Sequence, residues 1–438
     1  MGAGTPPLND ALRISVREQR NTDSVLRIAS FTLAAGPVSV FYKITGEVLP
    51  PPLEVLDFAL VAAIHVAMRE GRPVHVEGPV TGALLRSLEE YQEIWALWRR
   101  TYRRVQISAD QVVSSTVIDD RHGVFAISGG VDGAFALLKH HSGLAGPRNV
   151  RPACAMFVHG FDIPLHEQAA FGRARDGIVE MVAPLGVPVT IVETNWREAL
   201  GRDWAMDCQV ALTACLHQFR GAANVGVCGA ADDYAHITVP LGSNPVTNHL
   251  LSGGGFDIMT EGGALTRTDR VRALCDHPQI AAKLRVCWEG PKTGRNCGRC
   301  EKCIRTKLNF MAVGSAPLCF DGPPTFLDIL RIKLHEPSQV QFLREIVAAA
   351  KANDVRGAWL VALRLAMVKN KLVLRSMALE RRIRKVRYVP RTMPRTADPR
   401  DATPHGGVSP TSAAAKTRIA ERGGLNRRVT AARRVTDL

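Results

Sequence analysis

Short apolar runs alternate with amphipathic stretches through the middle of this chain. Strands are predicted at 124–127 (VFAI), 155–158 (AMFV), 188–192 (PVTIV) and 225–228 (VGVC). Unbroken runs of this length suit strands buried on both faces, and helical periodicity lies between them. Residues 119–318 therefore predict an α/β fold, a parallel sheet with helices on both faces. Before that region the pattern changes. Residues 12–16 and 38–41 alternate apolar and polar positions, as half-buried strands do, and 74–76 reads as a short strand. Helices are predicted over 53–68, behind Pro50, Pro51 and Pro52, and over 80–102. In the second of these, Leu84, Leu88, Tyr91, Trp95 and Trp98 share one face, a stripe assigned to core. Residues 1–118 are thus expected to form an N-terminal α+β domain. Residues 319–390 read as a helical region, chiefly 340–351 and 359–375, and 391–438 as a basic disordered tail. No internal repeat is present.

Charge sharpens this division. The chain has 438 residues and a net charge of +15. Residues 381–438 hold 15 Lys and Arg against four Asp and Glu, so the remainder carries only +4. The tail is rich in Pro, Thr, Ala and Gly, a composition that buries little surface. It reads as a solvated segment or as a tether to nucleic acid or an acidic partner. With one tyrosine and no other aromatic, it offers little for base stacking. No run reaches the 18 apolar residues of a membrane span, and no secretory signal is evident, so a cytoplasmic protein is expected.

Two clusters carry chemistry. Behind the strand at 124–127 stands Ser128-Gly129-Gly130-Val131-Asp132-Gly133, and a helix begins there. Glycines let a backbone approach an anion closely, and helix-start amides attract phosphate. Glycines serving helix packing alone are the alternative. The loop lacks the Gly-Lys-Ser/Thr ending of a Walker A motif. The second cluster is Cys287, Cys297, Cys300 and Cys303, four of ten cysteines within 17 residues. Overlapping CxxC steps plus a fourth thiol predict structural Zn²⁺, with an iron–sulfur cluster as the alternative. Lys302, Arg299 and Arg305 are expected to offset the thiolate charge. Cys154, Cys208, Cys215 and Cys228 read as buried fillers.

The run SGGVDG resembles the SGGxDS signature of the PP-loop (N-type) ATP pyrophosphatases. With the downstream C-x9-C-x2-C-x2-C knuckle, it resembles the 7-cyano-7-deazaguanine synthase family, over about residues 125–314. Gly133 departs from the signature serine, and Arg267, in LTRTD, stands where lysine is usual. The resemblance implies cleavage of ATP to AMP and pyrophosphate, with Mg²⁺ bridging the phosphates. It further implies adenylation of a carboxylate or amide oxygen on a small-molecule or peptide acceptor, followed by attack of a nitrogen nucleophile. Carried onto this chain, it assigns ATP binding to Ser128, Gly129, Gly130, Val131, Asp132, Gly133, Asp162, Thr194 and Asn195. Asp132 and Arg267 become the catalytic pair, and Asp232, Asp233 and Tyr234 face the acceptor. Sulfur transfer through Cys228, or nucleotide binding without turnover, are the alternatives. The acceptor, the nitrogen source and homo-oligomer formation are left open by the sequence.

Overall fold

The computed structural model describes residues 10–114, 120–287, 293–334 and 337–387. In chain order the strands and helices are β1 (Leu12–Arg20), β2 (Ser24–Leu33), β3 (Gly36–Gly46), α1 (Asp57–Glu70), β4 (Val74–Thr81), α2 (Gly82–Trp98) and β5 (Ile107–Val113). Then follow β6 (His122–Ala126), α3 (Val131–His141), β7 (Arg151–His159), α4 (Gln168–Val182), β8 (Val189–Thr194), α5 (Trp196–Ala199), α6 (Trp204–Leu216), β9 (Val225–Gly229) and β10 (Asp257–Glu261). The last helices are α7 (Arg267–Cys275), α8 (Pro278–Ala281), α9 (Glu301–Ala312), α10 (Phe326–Leu330), α11 (Pro337–Ala352) and α12 (Ala358–Arg387).

The ten strands form one sheet in the order β10-β9-β6-β7-β8-β3-β2-β1-β4-β5. Strands β10 to β8 run parallel, β8-β3-β2-β1 pair antiparallel, and β1-β4-β5 are parallel again. The fold is therefore α/β with a mostly parallel sheet. The expected boundary near residue 118 does not divide it. β3 pairs with β8 from Tyr42↔Thr194 to Gly46↔Thr190, which carries the N-terminal strands into the same sheet. The described residues up to 371 form one compact unit. In the second, residues 372–438, only the end of α12 is described; the basic tail lies outside the described residues.

Successive residues of each strand face opposite sides of the sheet, and the two sides are covered differently. One core runs the length of the sheet under α1, α2 and α6. It takes Ile14, Phe31, Val40 and Ile44 from the antiparallel strands and Val124, Met156 and Val192 from the parallel ones. The aromatic stripe of α2 belongs to it, with Tyr91 and Trp95 fully buried, as the pattern predicts. A second core, with Phe125, Phe157 and Val227, lies on the opposite face of the parallel strands only, under α3, α4, α7 and α9. Helices on both faces thus describe the parallel half, whereas β1–β3 are covered on one face, as an antiparallel meander allows.

β6 lies between β7 and β9, so the chain leaves it towards one side through α3 and returns on its other side at β9. This is a topological switch point, where the carboxyl ends of neighbouring strands open a crevice. Among the described residues, no helix is long and apolar enough to cross a membrane.

Candidate functional site

The loop leaving β6 sits at that switch point. Gly129 has φ +82°, a left-handed conformation that glycine adopts without strain. Gly130 caps α3 with extended backbone and no side-chain capping bond, leaving the helix-start amides without a competing side chain. The amide of Arg285 donates to the Gly129 carbonyl at 2.8 Å, tying segment 284–287 onto the loop. Gly133 has a packing reason. A Cβ there would lie 2.8 Å from the Ala126 carbonyl oxygen, closer than side-chain carbons approach backbone. Helix α3 therefore sits too near the end of β6 for serine at this position.

Asp132, in the first turn of α3, is held by two arginines of α7. Arg267 Nη1 donates to Oδ2 at 2.8 Å and Arg270 Nη1 to Oδ1 at 2.7 Å. Burial by itself would raise this carboxyl's pKa; Arg267 and Arg270 outweigh it and hold the pKa below the ordinary value. Arg270 is fully buried and also donates to the carbonyls of Gly262, Ala230 and Leu265, so it is a structural clamp. Arg267 differs. Its side chain is 10% exposed, and its Nε and Nη2 have no hydrogen-bond partner among the described residues. The start of α7 is fixed by a capping box between Thr266 and Asp269. Glu261, at the end of β10, receives Lys139 and His140 and so pins α3 from the far end.

A cavity of about 260 Å³ opens here, and the N-terminal turns of three helices meet in it, with Asp132 from α3, Arg267 from α7 and Lys302 from α9. Arg285 and Asp162 complete its polar wall. Arg285 Nε has no hydrogen-bond partner among the described residues, and its Nη2 only approaches Asp162 at 3.9 Å. Burial, and next the neighbouring Arg267, push the Lys302 amine's pKa below its ordinary value. Met156, Phe161, Trp204 and Leu212 add apolar lining. Phe161 and Trp204 pack ring to ring at 5.1 Å, and Arg197 caps Trp204 at 4.4 Å. Three cations and three helix starts, together with an aromatic pair, fit a ligand with an anionic group and an apolar body.

Ser128, Gly130, Asp132, Gly133, Asp162 and Arg267 line this cavity. Gly129 shapes the loop behind it, and Val131 is fully buried in the core. Thr194 and Asn195 do not line it. Thr194 Oγ1 accepts from the Trp196 amide, and Asn195 bridges the Phe41 amide and the Ser39 carbonyl. They cap the seam between β8 and β3, a task created by a strand pairing that the local pattern does not display. Asp232, Asp233 and Tyr234 also lie off the cavity wall. Asp232 accepts from the Thr238 amide, Asp233 from the Ala235 amide, and Tyr234 lies against Gly263, half exposed.

The cysteine knuckle adjoins the cavity. The sulfurs of Cys287, Cys297, Cys300 and Cys303 all lie within 4.8 Å of one another, with Cys287–Cys300 and Cys297–Cys303 at 3.9 Å. A tetrahedral ion with metal–sulfur bonds of about 2.3 Å places sulfurs about 3.8 Å apart, so the cluster can hold a metal ion such as zinc. The amides of Arg299 and Cys300 point at Cys297 Sγ. Gly294 and Gly298 turn the chain at positive φ. Asn296 locks the knuckle by accepting from the Val286 and Cys287 amides and donating to the Leu284 and Cys319 carbonyls.

Lys302, expected beside the thiolates for charge balance, also reaches the cavity. Arg285, Arg270 and Trp204 were not legible as site residues. Only Arg270 left a signal, three residues after Arg267 on one helical face. Comparison with protein-family models, with curated proteins and with solved structures gives no match.

Proposed function

We propose that this chain is an ATP-dependent ligase of PP-loop type that adenylates a carboxylate or amide oxygen of a small-molecule or peptide acceptor, releasing pyrophosphate, before a nitrogen nucleophile displaces AMP. The observation that carries the proposal is the convergence of the 128–130 loop, Arg267, Arg285 and Lys302 on one cavity at the switch point of the sheet. The loop amides and the start of α3 would receive the pyrophosphate end of ATP, and the aromatic wall of Phe161 and Trp204 its base. The two unpartnered nitrogens of Arg267 would meet charge developing on the phosphates. Asp132 acts here as the anchor of Arg267, since both its oxygens are occupied by arginine. Asp162 is the carboxylate better placed to meet Mg²⁺ carried in by the phosphates. The knuckle fits structural zinc, because four thiolates leave no open coordination position.

Sulfur transfer finds less support. Cys208 and Cys228 line the cavity, but burial pushes the Cys208 thiol up to about 12 and also raises Cys228. A thiol held protonated is a poor nucleophile. Nucleotide binding without turnover is the second reading, favoured by the packed Gly133 and the fully paired Asp132.

The test is release of AMP and pyrophosphate from Mg·ATP with ammonium and a panel of carboxylates, including deazaguanine acids and peptide termini. Arg267→Met should lower release by about 10² to 10³ at saturating ATP. Bound ATP with no AMP from any acceptor would replace the ligase by the binding protein. Equal AMP formation by Arg267→Met would remove the arginine from the chemistry.

A further inference from the structure

Two of the three cations that line the cavity belong to the cysteine knuckle. Arg285 stands two residues before Cys287, and Lys302 stands between Cys300 and Cys303. Their backbones are set by the knuckle fold. Asn296 holds the amides of Val286 and Cys287 and the carbonyl of Leu284, and the Arg285 amide binds the Gly129 carbonyl of the anion loop at 2.8 Å. Lys302 is the second residue of α9, the helix that Cys300 caps and that carries Cys303 in its first turn. The third cation, Arg267, comes from α7 and is anchored by Asp132 without help from any cysteine.

We infer that the metal knuckle gates the anion site: residues 284–287 and 293–303, held together by the metal-closed cysteine cluster, deliver Arg285 and Lys302, so metal and a phosphate-bearing ligand strengthen each other's binding. Opening of the cysteine cluster by metal loss leaves Arg267 as the one of the three still held in place. The inference rests on the proposal above that the cavity receives the phosphates of a nucleotide. Coupling between two sites is reciprocal in binding free energy, so a ligand that needs the closed knuckle must also tighten the metal.

Two equilibrium measurements test it. The first is Mg·ATP affinity, by calorimetry, of the zinc-loaded full chain and of Lys302→Met, which keeps all four thiolates. The variant should retain stoichiometric zinc and lose affinity on the order of tenfold, and Lys302→Arg should restore most of it. The second is competition for zinc with a chromogenic chelator, with and without saturating ATP held as its Mg²⁺ complex. Apparent zinc affinity of the unsubstituted protein should rise on the order of tenfold with Mg·ATP, and by less in Lys302→Met. If the protein binds Mg·ATP but its zinc affinity does not change, the gating is refuted and the nucleotide cavity stands. If the zinc-loaded protein binds no ATP, the cavity proposal fails and the gating fails with it.

Discussion

Replacing Gly133 distinguishes a glycine required by packing from one that has merely lost a serine. A Cβ at this position would sit 2.8 Å from the Ala126 carbonyl oxygen and 3.5 Å from the Ile127 Cα, both backbone atoms that cannot swing aside. Relief requires α3 to move off β6, yet Ala134, Leu137 and Leu138 bury that helix in the second core. Overpacking of this kind costs about 1–3 kcal/mol. Against it, removing glycine from a helix interior gains about 0.5–1 kcal/mol. Gly133→Ala should therefore destabilise by about 1 kcal/mol, the difference of the midpoints of these terms. A Cβ on Gly172, inside α4, would have nothing within 4 Å. Gly172→Ala should stabilise by about 0.4–1 kcal/mol, so the two substitutions have opposite signs. Urea unfolding followed by tryptophan fluorescence reads both. Gly133→Ser should also weaken ATP binding, because the displaced helix start carries the loop amides with it. A Gly133→Ser protein as stable as the parent, with tighter ATP binding, would refute the packing account.

Other expectations follow from the same geometry. Glu261 is held at about 2, because His140 and Lys139 outweigh the burial that would raise it. Its stabilisation, on the order of 3 kcal/mol, is complete above about pH 4.3 and is lost as pH falls towards 2. The stability gap between the parent and Glu261→Gln should be constant from pH 5 to 7 and shrink below pH 4; a flat gap would refute the linkage. Elemental analysis should find one zinc per chain, lost in Cys300→Ala together with solubility, because metal-binding energy is also folding energy. Stoichiometric zinc in a Cys297/Cys300 double substitution would overturn the ligand set. Deleting residues 396–438 should leave melting temperature and ATP turnover unchanged while removing any salt-sensitive nucleic-acid affinity, and a large drop in melting temperature would contradict that.

What the sequence displayed was local. The apolar runs of β6 to β9 announce themselves because strands buried on both faces need no alternation. The CxxC steps fix their own geometry within a few residues. β2 was not legible, because Arg27 falls among its inward positions; there the guanidinium is fully buried against Glu18, Gln218 and the Pro51 carbonyl. β10 is five residues with acids at both ends. The sheet-joining pair β3 and β8 was invisible for a different reason: strand pattern gives burial, not partner. Asn195, a polar residue just after a strand, therefore looked like a ligand, and the structure makes it a staple for β3. Lys302 was visible beside the thiolates, but its reach into the cavity depends on how the knuckle docks on the loop.

The seam between β3 and β8 also sets an order in time. The meander β1-β2-β3 is complete in sequence by residue 46 and can pair by short hairpins as soon as it is made. Its open edge, residues 42–46, has no partner until residues 190–194 have been synthesised. Pairings between segments so far apart in sequence are slow to close, and an unpaired strand edge invites wrong partners meanwhile. The parallel half thus supplies both the cavity and the strand that ends this exposure. A nascent chain stopped before residue 190 would present this edge as a ready template for intermolecular pairing, and synthesis of β8 is the step that covers it.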